Sequence, residues 1–273
     1  MRGLFTAGVI DVFLEREIPF DGVVGVSAGA CFGCNYVSRQ AGRVIRYNKR
    51  FAKDPRYCSF GSLWRRGNLF DAEFCYHRLP TELDVFDAEA FERSSCEFWI
   101  SATDVETGKP RYRRIAKADY DAFEWILASA SMPLVSRPVE REGRLYLDGG
   151  LSDGIPLRFF ESRGFTRNVV VTTRPHGYRK FPSWKTALSK PFLLRYPAVY
   201  RALRTRHVWY NAELEHVDAR VAAGAALLIA PDEPLEISRL CHDPDVMQRV
   251  YDIGRSVAER RLGEVLDFIG RKR

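Results

Sequence analysis

Ser27 stands between two glycines in Gly25-Val26-Ser27-Ala28-Gly29, directly after the short apolar run "FDGVV" and directly before a run of small residues. A strand, then Gly-x-Ser-x-Gly, then a helix is the setting in which this pattern carries chemistry. The serine occupies a sharp turn where only small neighbours avoid a clash. The helix behind it offers unpaired N–H groups and a positive dipole end to a developing oxyanion. Gly25 and Gly29 supply the clearance, and the Ala28 N–H is an expected oxyanion donor. A glycine-rich strand-to-helix junction can also be simple tight packing; the correct order of the flanking elements favours a catalytic serine. A phosphate loop is the weaker reading, because neither G-x-x-x-x-G-K-[ST] nor G-x-G-x-x-G occurs here. Cys31 and Cys34 lie one helical turn apart with no second CxxC and no clustered histidine. They read as packed thiols, and no metal is expected.

A serine hydroxyl is a poor nucleophile until a positioned base takes its proton. Ser27, Asp148 and His176 have the chain order of an α/β-hydrolase triad. That fold, however, builds several strands before its nucleophile, and only one strand and one helix precede Ser27. His77, His207 and His216 sit among charged helical residues, and His242 lies in a helix-cap segment. A carboxylate is the better candidate. "YLDGGLSDGIP" ends a strand at Asp148, followed at once by Gly149 and Gly150. A carboxylate is thereby placed on a tight turn at a strand end, where α/β sheets carry their sites. The plainer reading of any Asp-Gly is an Asx turn, and Asp153-Gly154 is expected to be one.

The elements that must position these residues are read from hydrophobic periodicity. Residues 4 to 17 repeat at helical spacing as an amphipathic helix ended by Pro19, and "FDGVVGV" reads as a buried strand. "SAGACFGCNYVSRQ" and residues 41 to 53 read as helices, and "CEFWISATDV" and "KPRYRRI" as strands joined by a turn at "ETGK". "DYDAFEWILASAS" is a helix stopped by Pro133, "GRLYLDGG" a strand, and "RNVVVTTRP" a fully buried strand. Two helical stretches between about 183 and 222 lead to the strand "ALLIAP" and one closing amphipathic helix. Residues 55 to 95 fit no regular element well and are expected to form a lid or a pocket wall. Strands alternating with helices imply a three-layer α/β/α sandwich with a mostly parallel central sheet.

With 273 residues, 46% hydrophobic and 28% charged, the chain can bury one sizeable core, and no linker-like tract or repeat divides it. No apolar run is long enough to cross a bilayer. The N-terminus is interrupted by charge and does not read as a signal peptide. Six scattered cysteines fit a reducing compartment, so the cytoplasm is the expected location. The net charge of +7 favours anionic partners. Segments such as "LLRYPAVYRALRTRHVWY" interleave arginine with aromatics, but no nucleic-acid module accompanies them. They read as solvated helix faces, and no nucleic-acid partner is expected.

Taken together, "GVSAGA", "ASASMPLVSRPV" and "YLDGGLSDGIPL" resemble the bacterial patatin-like phospholipase family, as do "MRGLFTAGVIDVFLE" and "DPDVMQRVYDIG" near the two ends. The resemblance covers nearly the whole chain as one domain, 1–273. It implies a Ser/Asp dyad lipid acyl hydrolase needing no histidine and no cofactor, with Ser27 as nucleophile and Asp148 as general base. A carboxylate serving as base must have its pKa raised, here by partial desolvation in an acyl pocket. The implied substrate is a phospholipid or related lipid ester. The protein is expected at the inner membrane face, with Trp184, Phe192, Tyr196 and Tyr200 as exposed docking aromatics. The family precedes its first helix with a strand and Gly-Gly-Gly-x-Arg-Gly, whose glycine N–H groups form the oxyanion hole. Met1 falls on the x, and Arg2 and Gly3 match the last two positions. The first strand and three glycines are therefore expected upstream, behind a start set too late. The alternatives are a weak or non-catalytic lipid-binding relative, and a soluble carboxylesterase or thioesterase on the same dyad.

Overall fold

The computed structural model describes residues 1–238 and 240–270, leaving aside the side chains of Phe60 and Lys185. Helix α1 (Leu4–Glu15) leads into β1 (Gly22–Val26), α2 (Ala28–Val37) and α3 (Arg43–Arg50). The segment that fitted no regular element holds α4 (Phe60–Arg66), a π-helical run at Glu73–Leu83 and α5 (Ala88–Arg93). Pro80 lies inside the π-helical run; lacking an N–H, it interrupts ordinary helical bonding there and blurs the sequence period. β2 (Glu97–Asp104), β3 (Pro110–Ile115), α6 (Tyr120–Ala130), β4 (Val139–Arg141) and β5 (Arg144–Asp148) come next. The remainder is α7 (Leu157–Ser162), β6 (Asn168–Val171), α8 (Trp184–Leu188), α9 (Pro197–Ala222), β7 (Ala226–Ile229), α10 (Pro244–Arg260) and α11 (Leu262–Gly270). The closing helix read as continuous is thus two, separated at Arg261.

The α/β class holds, but the strand directions differ from expectation. β1 with β2 and β6 with β7 are parallel, whereas β2 with β3, β2 with β5 and β4 with β5 are antiparallel. Short connections at residues 105–109 and 142–143 join β2 to β3 and β4 to β5, and such tight links admit only antiparallel neighbours. Five strands form one sheet and β6–β7 a second. Among the described residues β1 pairs only with β2 and β6 only with β7, and both line a large cavity. For that reason only Asn168 of β6 is buried, not the whole strand as expected.

The register along β2 brings two strand ends together. β3 occupies one edge of β2 over Phe98–Thr103. β1 and β5 must therefore share the other edge end to end, β1 along Glu97–Ser101 and β5 along Ala102–Asp104. Their C-terminal ends meet, with Val26 opposite Ser101 and Asp148 opposite Ala102.

Two apolar cores support this arrangement. One packs α2, α5 and α6 against Phe98, Ile100 and Tyr146, and the other gathers α1, α3, α10 and α11 with Ile229. α1 is buried along most of its surface, including Leu4, Phe5, Val9, Val12 and Phe13, and is not the amphipathic helix expected. The reason is its crossing with α10. A β-carbon on Gly8 would lie 2.1 Å from the Tyr251 carbonyl oxygen, and one on Gly254 2.0 Å from that of Phe5. Asp11, buried at this contact, accepts from the Tyr251 hydroxyl at 2.7 Å and the Gly42 N–H at 3.0 Å.

Candidate active site

Ser27 directly follows β1 with φ 55° and ψ −119°, and α2 begins at the next residue. A non-glycine residue at positive φ stores roughly 1–3 kcal/mol of strain, which the surrounding contacts must hold. They do so through close backbone approach and a hydroxyl relay. A β-carbon on Gly25 would fall 2.4 Å from the Gly29 carbonyl oxygen. The Ser27 N–H donates to Ser129 Oγ at 3.0 Å, and that hydroxyl donates to the Ser101 carbonyl at 2.7 Å. A β-carbon on Gly29 would meet nothing within 4 Å, so its face of the elbow is open.

Asp148, 6% exposed, is fixed by its backbone and its carboxylate together. Its N–H donates to the Ser131 carbonyl at 2.8 Å, and its carbonyl accepts from Thr103 Oγ1 at 2.8 Å. Oδ1 accepts the Gly150 N–H at 2.8 Å while Oδ2 accepts the Ser27 hydroxyl at 2.7 Å. The turn reading and the catalytic reading of Asp148 therefore describe the same carboxylate, one oxygen each. Gly149 permits the approach, since a β-carbon there would lie 2.1 Å from the Ser101 carbonyl oxygen. Ser129, Ser131 and Thr103 hold the pair in place, and sequence reasoning assigned them no role. Two of them lie in "ASASM", so the signal was present without its meaning.

Arg2 and Gly3 reach the site through the start of α1. A β-carbon on Gly3 would sit 2.7 Å from Ala28 Cβ, so α1 and α2 begin side by side next to Ser27. The first N–H groups of a helix have no intrahelical partner, and both dipoles present their positive ends here. Cys31 and Cys34 are reduced and packed as expected. Cys31 Sγ lies 3.6 Å from the Tyr76 hydroxyl, and burial pushes its thiol up to about 11 and that of Cys34 to about 12.

Four of the five histidines bond elsewhere: His176 to Asp218 at 3.2 Å, His77 to Glu124 at 2.8 Å, His216 to Glu161 at 2.7 Å and His242 to the Ala52 carbonyl at 2.7 Å. His207 lines the cavity.

Asp153 makes the Asx-turn contact expected, its carboxylate facing the Ile155 N–H two residues on, and also reaches beyond it. Its carboxylate accepts from the Tyr112 hydroxyl, and Glu213 of α9 accepts the Gly154 and Ile155 N–H groups at 3.2 and 3.1 Å. Burial, reinforced by the charge of Asp153, pushes Glu213 up to about 8; burial also raises Asp153. Arg206, Tyr210 and Glu213 recur at helical spacing and face residues 148–155 together. A β-carbon on Gly154 would lie 3.2 Å from Tyr210 Cδ2, and one on Gly150 3.0 Å from an Arg206 terminal nitrogen. This stretch of α9 was read as a solvated face, since helical spacing alone does not say what a face meets.

Ser27 and Asp148 open onto a cavity of about 2250 Å³. That exceeds the roughly 300–1,000 Å³ of common small-molecule pockets. Phe20, Phe32, Phe123, Ile126, Met132 and Leu134 form apolar wall, and Phe70, Tyr76 and Leu79 from the irregular segment complete it. That segment is therefore a wall of the pocket.

The patatin-like phospholipase model matches residues 1–160, from the start of α1 through the Asp148 turn. The chain belongs to the patatin-like phospholipase family. Residues 196–270, which include α9, match a second model, a domain of unknown function named DUF6363. An uncharacterized Escherichia coli protein, YjjU, is 34% identical over 195 residues, covering 67% of this chain and 52% of YjjU. Lysophospholipase nte1 of Aspergillus terreus is 25% identical over 286 residues, 96% of this chain and 18% of the relative. Lysophospholipase NTE1 of Cryptococcus neoformans is 25% identical over 176 residues, 62% of this chain and 10% of the relative. This patatin-like chain thus spans about half of YjjU and a smaller part of the fungal lysophospholipases.

Proposed function

We propose that this patatin-like chain is a serine lipid acyl hydrolase working through a Ser27/Asp148 dyad. The observation that carries the reading is the 2.7 Å hydrogen bond from the Ser27 hydroxyl to Asp148, at the wall of a cavity large enough for acyl chains. Asp148 takes the hydroxyl proton as Oγ attacks the ester carbonyl, and the tetrahedral oxyanion forms beside the N-termini of α1 and α2. The Ala28 N–H and the Gly3 N–H are the donors we assign to it. Collapse expels the alcohol, which takes the proton back from Asp148, and water then attacks the acyl-enzyme with Asp148 again as base. The Gly150 N–H on the other carboxylate oxygen orients Asp148 toward the serine.

The substrate class we assign is a phospholipid or lysophospholipid ester, in keeping with the family and with the fungal relatives named lysophospholipases. Among the described residues no helix is long and apolar enough to cross a membrane. Trp184 and Phe192 are 71% and 76% exposed, with Phe181, Leu188 and Leu194 beside them in sequence. Pro182, Ser183 and Thr186 of the same segment line the cavity. Apolar side chains at a cavity rim, flanked by Lys190 and Arg195, suit peripheral docking on anionic lipid. Tyr196 and Tyr200, expected beside them, are partly buried against the cluster of Leu147, Leu151, Leu193 and Val199. We place the protein on the cytoplasmic membrane face and treat residues 1–273 as one functional unit, in which α10 packs against α1. A fluorophosphonate probe should label the wild-type chain and not Ser27→Ala. An unlabelled wild-type chain that still binds lipid would replace this reading with a non-catalytic lipid-binding relative.

A further inference from the structure

We propose that Arg206 is a specificity residue that receives a phosphate group carried by the ester substrate, so that the dyad favours anionic over neutral acyl esters. The proposal rests on the hydrolase reading above and adds a residue from α9, outside the segment matched by the phospholipase model.

Arg206 lies beside the base. One of its terminal nitrogens and Asp148 Oδ1 are each 3.0 Å from the position a β-carbon would take on Gly150. Asp148 itself is engaged by the Gly150 N–H at Oδ1 and the Ser27 hydroxyl at Oδ2. A guanidinium at this distance can meet an anionic group of a substrate whose ester lies at Ser27.

Arg206 is also the cation whose needs the protein leaves unmet. Its Nε is buried and makes no hydrogen bond among the described residues. Arg141, Arg220 and Arg261 share that feature at Nε, yet each faces carboxylates: Asp121 and Glu124 at 3.5 Å for Arg141, Glu161 at 2.5 Å for Arg220 and Glu264 at 2.5 Å for Arg261. No such carboxylate faces Arg206 among the described residues. A partly desolvated guanidinium without a partner is costly, and its planar fork of donors matches a phosphate. The surrounding wall has the same sign. Arg2, Arg174, Lys180 and Arg204 line the cavity with Arg206, and Asp21 and Asp148 are the acidic residues there among the described ones. In a glycerolipid the phosphate sits a few bonds from the acyl ester. Ser27 bonds Asp148, Asp148 bonds the Gly150 N–H, and Arg206 lies against Gly150, so ester and phosphate would each meet a neighbour of the same carboxylate.

The test uses two esters that differ only in phosphate, 1-palmitoyl lysophosphatidate and monopalmitoylglycerol, with wild type, Arg206→Gln and Arg206→Lys. The ratio of their kcat/KM values should favour the phosphate-bearing ester in the wild type. Arg206→Gln should lower that ratio by about ten- to a hundred-fold, the scale of a charge-assisted hydrogen bond pair, and Arg206→Lys should restore part of it. An unchanged ratio, or an equal loss on both esters, overturns the proposal. Equilibrium binding to Ser27→Ala and to the Ser27→Ala/Arg206→Gln double variant gives a readout free of turnover. Lysophosphatidate should bind the first more tightly than the second. If inorganic phosphate alone bound as tightly, with the same dependence on Arg206, the site would belong to a free anion and the proposal would fall. Arg206-dependent binding of lysophosphatidate without turnover in the wild type would instead sink the hydrolase reading and leave the anion site standing.

Discussion

The loop carrying Asp148 is gripped from two sides by different means. From within residues 1–160 the grip is backbone and hydroxyl: Gly149 lies against the Ser101 carbonyl, and Thr103, Ser129 and Ser131 bond the chain around the dyad. From α9 the grip is by long side chains, with Arg206 at Gly150, Tyr210 at Gly154 and Glu213 on the Gly154 and Ile155 N–H groups. The first side places the reacting atoms, where a single β-carbon would clash, so it is written as runs of small residues. The second side surrounds the loop and sets its charge, and it is written as isolated residues of an ordinary helix. A motif, in this molecule, marks where the backbone has no room. A residue acting from across the fold leaves no such mark.

The sharpest way to break this contrast is Asp148→Asn. Asparagine can still accept the Gly150 N–H but cannot take the serine proton, so kcat should fall by about a thousand-fold while the unfolding midpoint barely moves. Retained activity would show that the first side does not hold the base.

Glu213→Gln probes the second side and should act on stability more than on rate. Glu213 holds its proton up to about 8 instead of the ordinary 4.5, because burial and the Asp153 charge disfavour its anion. Between those values the folded chain keeps a proton that the unfolded chain releases, so stability falls as pH rises through this window. Glutamine keeps an acceptor for the loop N–H groups and has no proton to lose, so denaturant unfolding across the same window should lose most of that slope. The kcat of the variant should stay within about tenfold of wild type, the scale of one uncharged hydrogen bond. A rate loss as large as that of Asp148→Asn would erase the distinction between the two sides.

The smallest effect is expected for His176→Ala. Its ring is 71% exposed and bonds Asp218, so stability should change by no more than about 0.5 kcal/mol and steady-state activity should be unaltered. A large loss would restore the triad.

Much of the frame was legible. β1, the elbow at Ser27, α2 and the strand ending at Asp148 can be read from glycine placement and apolar period, because each is decided by neighbours within a few residues. The strand directions were not, since the sequence pattern shows that a strand is apolar without showing which neighbour it meets or in which sense. β4 was missed because three residues carry no period. The burial of α1 was missed because its second apolar face is made by α10, more than two hundred residues away in sequence. The turn at Asp153 is local and legible, whereas its further partners, Tyr112 and Glu213, come from β3 and α9 and leave no mark beside it.

What the sequence determined by itself is which residues can react and where the backbone must turn. Ser27 and Asp148 each sit beside glycines that remove a local clash, and local clashes are read from adjacent residues. What only the tertiary structure decided is that these two residues meet. Val26 and Asp148 pair with consecutive residues of β2, Ser101 and Ala102, on the one edge that β3 leaves open. That meeting, like the reach of α9 over the same loop, depends on hydrogen-bond register and helix packing between distant segments, and no short stretch of sequence encodes either.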